Sequence, residues 1–481
     1  VADFAWWSDG WLGRARCLIG GEWIEPDGER IPVVDPYTEQ AIGEVTDAGT
    51  ELTARAVAAA QAAFEPWMET PVHERAAVLE RVGELISERG EALAGLITRE
   101  MGMPVSLAAA SQVAMPSSVL AAFAKAARGF AWVRQGDGAE LRHVPLGVVA
   151  AITPWNMPVH QIIAKLGAAL AAGNTVVLKP SELTPFDALA VAELFTEADL
   201  PPGVLNVVPG VGIGTGQALV AHPGVAHVSF TGSVAAGRTV ATLAAGHLAS
   251  ATLELGGKSP AVLLDDADFA RAVPAAVRSG LVNSGQACNA TTRLVAPAGR
   301  ADEVEGLIAD TLRTLALGDP KDAATALGPL VSERQRARVC EFVNDARAQG
   351  ARVVAGDSAD VPPAGFFVAP MVFADVPVSA RVLREEVFGP VLTVRYHDGD
   401  DEAARIANDS DYGLSAEVWS GDPERAARFG RRLRVGQVKI NGVRTRERPA
   451  VPFGGFKLSG YGRELGQAGL AEMTTVTAVL S

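Results

Sequence analysis

From about residue 144 the chain alternates short apolar runs with stretches of helical character, and this alternation limits the fold more than any other feature. LGVVAAIT, NTVVLKP, VLNVVPG, VAHVSFTGS and ATLELGG are separated by helix-like sequence starting near residues 158, 185, 213 and 234. A strand that is apolar on both faces has to be covered on both faces, and parallel neighbours need a crossover helix. The pattern therefore predicts a mostly parallel sheet with helices on each side. A second alternation, with AVLLDD, RLVAPA, ARVVAG, VLTVRY, AEVWS and QVKING as its strands, runs from about 257 to 450 and predicts a second α/β unit. Glycine and proline clusters near 256–260 and 452–460 mark the crossings between them, and a cleft between two such units is the usual place for a ligand. Residues 51–131 read as helices, with Val57, Ala60, Ala63 and Phe64, then Leu79, Val82, Leu85 and Ile86, falling on one side. The closing MTTVTAVL is a β-rich tail suited to an edge strand.

Composition narrows the function. The chain has 481 residues, enough for two or three domains, and 42 basic against 56 acidic residues leave a net charge of −14. That balance disfavours nucleic acid or an anionic membrane as the main partner. No uninterrupted apolar run reaches the roughly 18 to 20 residues that cross a bilayer, and the N-terminus does not read as a signal peptide. Three cysteines, Cys17, Cys288 and Cys340, without CxxC spacing support neither a disulfide framework nor a zinc site, so a reducing cytoplasm is expected. Seven scattered histidines without HExxH give no reason to assign a metal.

Several motifs sit where strands end. SFTGS closes a strand and GSVAAGR opens a helix with glycines at 232 and 237, so backbone amides and the helix N-terminus can meet a pyrophosphate; a tight strand-to-helix turn would look the same. VVPGVGIGTG completes GxGxxG from neither Gly210 nor Gly212 and is expected to be a flexible turn near the cofactor. KPSE puts Lys179 and Glu182 at a carboxyl end, where an acid can accept hydrogen bonds from ribose hydroxyls and repel a 2′-phosphate. That favours NAD, with NADP less preferred; the alternative is a solvated loop pair. TPWNMP stiffens a loop carrying Trp155 and Asn156, and a pinned carboxamide suits an oxyanion as well as a turn. Cys288 lies in GQACNATT, among residues too small and polar for an ordinary core strand, 34 positions after Glu254 in LELGGKSP. A thiol nucleophile with a separate carboxylate base can make and hydrolyse a thioester.

TPWN, KPSE, FTGS, LELGGKSP, GQAC, EEVFGP and PFGGFKLSGYGRELG occur in this order between about 145 and 466, and together they strongly resemble the NAD(P)-dependent aldehyde dehydrogenase superfamily. The resemblance implies an α/β fold: a Rossmann-like cofactor domain (1–124 and 146–256), a second α/β catalytic domain (257–455) and a small β oligomerisation element (125–145 and 467–481), in a homodimer or homotetramer. It implies that Cys288 attacks the aldehyde, that Asn156 and the Cys288 N–H hold the oxyanion, and that Glu254 activates the hydrolytic water. It also implies that Glu386 holds the nicotinamide ribose, with Phe388 beside the nicotinamide and Glu385 structural. Lys179 and Glu182 would take the adenosine ribose, Ser233 the pyrophosphate and Trp155 the cofactor neighbourhood, with Gly232, Gly256 and Gly257 giving room for close approach.

The aldehyde is set by pocket shape, for which Met157, Val282, Ala287, Asn289 and Phe453 are the candidates. Val282 stands near where many relatives carry an aromatic, which predicts a wider pocket. One of Arg444, Arg446 and Arg448 in GVRTRERPAV is a candidate for recognising a carboxylate-bearing or otherwise polar aldehyde; a solvated or intersubunit loop is the alternative. A CoA-acylating enzyme and a non-catalytic protein retaining the fold are the competing functions, and Glu254 together with Cys288 and Asn156 speaks against both.

Overall fold

The computed structural model describes residues 14–136, 138–356, 360–443 and 448–480. The first five apolar runs form five adjacent parallel strands, Ser250–Glu254, His227–Thr231, Val148–Ile152, Thr175–Lys179 and Leu205–Val207, in that spatial order. All but the first two residues of Ser250–Glu254 are buried, as strands covered on both faces require. Numbered by sequence, the order is 5-4-1-2-3, so the chain reverses direction between Val148–Ile152 and His227–Thr231. The crevice beyond the carboxyl ends at such a switch point is where doubly wound sheets bind ligands.

The ends of this sheet were not legible in the apolar pattern. Cys17–Ile19 pairs antiparallel with Leu205–Val207 and carries Glu22–Ile24 outside it, while Gly460–Tyr461 pairs with Ser250–Glu254 at the other edge. Short segments that complete a sheet through contacts hundreds of residues away leave no local period to read.

The second unit is a seven-stranded sheet ordered Arg352–Ala355, Met371–Ala374, Val391–His397, Arg293–Pro297, Pro260–Leu263, Ser415–Trp419 and Gln437–Ile440. Its pairs are parallel except for the first. Met371–Ala374 was missing from the expected strands because its four residues sit between proline-rich turns.

The helical segment resolves into Gly49–Glu69, Val72–Glu88, Gly90–Met101 and, after a π-helical turn, Met115–Gly129. Leu79, Val82, Leu85 and Ile86 are fully buried in the same cluster as Val119, Leu120 and Phe123, each worth about 1.5 to 3 kcal/mol of apolar burial. The run Val105–Gly129 is long and apolar enough, by length and composition, to cross a membrane, but here one side packs into this core. The C-terminal strand Thr474–Leu480 pairs antiparallel with Ala139–Pro145, which pairs with Val133–Gly136, making a separate three-stranded sheet.

Candidate active site

The chain approaches Cys288 through a strained turn. Asn283, Ser284 and Gly285 have φ of 53°, 56° and 76°, successive left-handed residues of which two carry side chains; such positions cost on the order of 1 to 3 kcal/mol each and persist only when their surroundings over-determine them. Here Asn283 Nδ2 donates to the Asn156 carbonyl at 3.0 Å, and Ser284 Oγ donates to the Gly328 carbonyl at 2.7 Å. A Cβ on Gly285 would stand 2.1 Å from the Gly389 carbonyl oxygen. The turn therefore fixes where the thiol emerges. Cys288 is partly exposed, and burial pushes its thiol pKa well up, with the carboxylates of Glu386 and Glu254 pushing the same way.

Asn156 follows the strand Val148–Ile152 at the switch point. Its side chain is buried, and one N–H donates to the Gln286 carbonyl at 2.9 Å. The carboxamide has a second N–H.

Glu254 ends the strand Ser250–Glu254 and is 2 % exposed, with neither carboxyl oxygen hydrogen-bonded among the described residues. Burial raises its pKa well above the carboxylate range and Glu464 adds to the rise, while Lys165 and Arg463 oppose it. It does not line the main cavity; Glu464 does. Lys165 Nζ donates to Glu464 Oε1 at 2.5 Å and to Thr231 Oγ1 at 2.7 Å, and Thr231 Oγ1 donates to Gln161 Oε1 at 3.1 Å. Lys165 is wholly buried, so this network holds a cation against Glu464 and near Glu254. Thr231 lies in FTGS and Glu464 in PFGGFKLSGYGRELG, but neither was singled out, and Lys165 and Gln161 lie outside the motifs. A lone lysine inside the apolar helix Pro158–Ala172 was the available signal.

The residues expected on the nucleotide side lie at strand ends and turns. Ser233 caps the helix Val234–Ala245, its Oγ accepting from Ala236 N at 3.2 Å, and Gly232 makes the turn before it. That helix start faces the crevice with N–H groups suited to an anion. Lys179 Nζ pairs with Glu182 Oε2 at 3.2 Å at the end of Thr175–Lys179, two strands away in the sheet. Glu386 Oε1 accepts from Gly257 N at 2.8 Å; a Cβ on Gly256 would lie 2.3 Å from Glu386 Oε2, and one on Gly257 would lie 2.2 Å from the Cys288 carbonyl oxygen. Burial lifts Glu386 to about 7, against the Gly257 N–H, Lys258 and Arg338. Phe388, at φ 59°, meets Trp155 edge to face with centroids 5.3 Å apart. Glu385 turns away to pair with Arg381 at 2.9 Å.

One expectation is corrected. Residues 212–216, expected as a turn, are π-helical and lead into the helix Gln217–Val220, close to the helix start expected near 213. Asp47 Oδ1 accepts from Val211 N at 3.0 Å and from Thr215 Oγ1 at 2.7 Å, a tie 164 or more residues long that no local pattern reveals.

A cavity of about 820 Å³ opens beside Cys288 and Asn156, and Met157, Val282, Ala287, Asn289 and Phe453 all line it. His160 also lines it, held neutral because burial, then Lys165, lower its pKa to about 4. Of the loop arginines, Arg444 and Arg446 lie outside the described residues, and Arg448 is not among the residues lining the cavity.

A thiol and a carboxamide lining one cavity, with a buried carboxyl at a strand end of the same doubly wound sheet, define a class: enzymes that handle a carbonyl covalently beside a nucleotide. The chain matches the Aldehyde dehydrogenase family over residues 23–479. It is 42% identical over 463 residues to geranial dehydrogenase of Castellaniella defragrans, covering 95% of this chain and 96% of that one. It is 41% identical over 471 residues to 3-succinoylsemialdehyde-pyridine dehydrogenase of a Pseudomonas species, covering 96% and 97%. Among solved structures, aldehyde dehydrogenase C of Pseudomonas syringae, a mutant complexed with NAD+ and octanal, superposes with a TM-score of 0.95 at 44% identity, covering 97% of this chain and 96% of that one. The chain belongs to the aldehyde dehydrogenase family.

Proposed function

We propose that this protein oxidises an aldehyde to the carboxylic acid with NAD as hydride acceptor, through a thioester on Cys288. The observation that carries this reading is the convergence of Cys288 and Asn156 on one cavity next to the switch-point crevice. Once the Cys288 thiol has lost its proton to solvent, a step its raised pKa disfavours, the thiolate adds to the aldehyde carbon, and the resulting alkoxide takes the free Asn156 N–H and the Cys288 backbone N–H; loss of one such donor costs roughly 3 to 4 kcal/mol. NAD, when bound, supplies a hydride acceptor. Glu254 then takes a proton from the water that cleaves the thioester, and Glu464 and the buried Lys165 beside it are placed to influence where that proton rests. Because its carboxyl favours the protonated form, Glu254 works as a base only once that proton has left.

The residues fit NAD. The helix start at Ser233 suits a pyrophosphate, Glu182 beside Lys179 suits the adenosine ribose and disfavours a 2′-phosphate, and Glu386, with Gly256 leaving room for its carboxylate and the Gly257 N–H donating to it, suits the second ribose. Trp155 and Phe388 flank that side. NAD+ complexes of relatives, including the aldehyde dehydrogenase of Bacillus cereus at 36% identity and a TM-score of 0.93, covering 97% of this chain and 96% of that one, support the same choice.

The three-stranded sheet ending in Thr474–Leu480 supports a homo-oligomer: its outer strand exposes Val476, Val479 and Leu480. The domain division drawn from the motifs, 1–124 with 146–256, 257–455, and 125–145 with 467–481, is proposed on the same footing. Three cysteines without a disulfide support a reducing compartment such as the cytoplasm.

The test is product analysis. With an aldehyde and NAD and no CoA, the wild type should release free acid, and Cys288→Ala should form no NADH while still binding NAD. Acid formation that requires CoA, or NADH from the Cys288→Ala variant, would contradict the reading.

A further inference from the structure

The helix Phe269–Gly280 presents Ala270, Arg271, Pro274, Ala275, Arg278 and Ser279 to the cavity, and Val282 follows just before the Cys288 loop. These positions repeat at the helical period, so one stripe of the helix forms a wall running away from the thiol. From Arg271 to Ser279 the axis rises about 12 Å at roughly 1.5 Å per residue. The cavity is therefore graded from Val282 at the thiol end to Arg271 at the far end.

The wall beside Ser279, at the end of the helix nearer Val282, is charged. Lys439 and Glu417 are directly opposed on adjacent parallel strands, with Lys439 Nζ 2.9 Å from Glu417 Oε1, and Ser279 Oγ donates to the same oxygen at 2.7 Å. Both charged side chains are largely buried, at 12% and 6% exposure, and both line the cavity. An ammonium has three donors, so Lys439 keeps N–H groups beyond the one that meets Glu417. Arg278 and Arg271 stand on the same wall; Arg278 is fixed by Thr314 Oγ1 at 3.2 Å, and Arg271 packs 5.9 Å from the Trp419 ring centroid. Lys439 and Glu417 offset each other, and Glu464, the other carboxylate lining the cavity, is offset by Lys165, so Arg271 and Arg278 leave the lining net cationic in a chain whose net charge is −14. Such a local reversal of sign concentrates anions.

We propose that the enzyme's preferred substrates are aldehydes carrying a carboxylate at the opposite end of the chain, held by Lys439 and Arg278 with Arg271 at the entrance. This rests on the oxidoreductase reading above and adds the substrate class. Recognition by the loop carrying Arg444, Arg446 and Arg448 is not needed: the cationic wall belongs to a capped helix, with Asp268 Oδ1 accepting from Arg271 N, and to a sheet strand.

The experiment compares kcat/KM for 6-oxohexanoate against hexanal, and 8-oxooctanoate against octanal, with NAD, in the wild type, Arg278→Ala, Arg271→Ala and the double variant Glu417→Gln/Lys439→Met. The neutral aldehyde measured in the same preparation divides out any loss of folded protein, and the double variant leaves no lone charge buried. The wild-type ratio should exceed one for at least one pair and fall with rising salt, and removing the Lys439 ammonium should lower it about tenfold, as loss of roughly 1.4 kcal/mol of selective binding would. A wild-type ratio at or below one for both pairs, or a ratio unmoved in all three variants, would overturn the proposal. If NADH formed with none of the four aldehydes, the underlying reading would fall instead, and the proposal with it.

Discussion

Glu386 shows how a single residue can set a measurable pH dependence. Its carboxyl is lifted to about 7 by burial, so below that value it is mostly protonated and above it mostly ionised. Two ribose hydroxyls donate well to a carboxylate and poorly to a neutral acid. The Kd for NAD is therefore expected to rise as pH falls through 7, by up to about tenfold per unit once the acid dominates, and to be flat over the same range in Glu386→Gln. Quenching of tryptophan fluorescence by NAD across this range measures it. A wild-type Kd that does not change between about pH 6 and 8 would remove Glu386 from cofactor binding. The same scale explains what sequence could show of the site. Cys288, Asn156 and Glu254 could be singled out as candidates because each sits in a short motif at a strand end or tight turn. Lys439 and Glu417 were not, because on strands a charged residue between apolar ones reads as an ordinary solvent-facing position, and only the register Glu417↔Lys439 shows the two charges buried side by side.

At the scale of elements, apolar runs announced the central parallel strands, and the helix starts near 158, 185 and 234 fell where Pro158–Ala172, Phe186–Glu197 and Val234–Ala245 begin. The period was strong there because both faces are covered. Edge elements were harder: Cys17–Ile19, Glu22–Ile24 and Gly460–Tyr461 are short and owe their place to distant partners. The tail MTTVTAVL was readable as a strand, but its partner, Ala139–Pro145, lies more than 300 residues away. Removing Thr474–Leu480 exposes the inner strand of that sheet and deletes Val476, Val479 and Leu480. We expect the shortened protein to elute as a smaller species than the full chain, with light scattering reporting a mass reduced by half or more. An unchanged mass would place the subunit contact elsewhere.

For the molecule as a whole, two α/β sheets divide the labour proposed for them. The first ends its strands on the crevice that suits a dinucleotide, and the second, through the turn Val282–Gly285, delivers the thiol to the same place. The oxidation and the hydrolysis then depend on different side chains from different units, Cys288 on one and Glu254 on the other. Separating those two steps distinguishes a thioester route from any other. In a stopped-flow experiment with saturating aldehyde and NAD, Glu254→Gln should give a burst of NADH close to one equivalent per active site, followed by turnover slowed by about 100-fold or more, as expected when a general base is lost. Mass spectrometry should find the acyl group on Cys288. Steady turnover at the wild-type rate in Glu254→Gln, with no acyl group retained on Cys288, would contradict the central claim that this chain oxidises aldehydes through a cysteine thioester cleaved by Glu254-activated water.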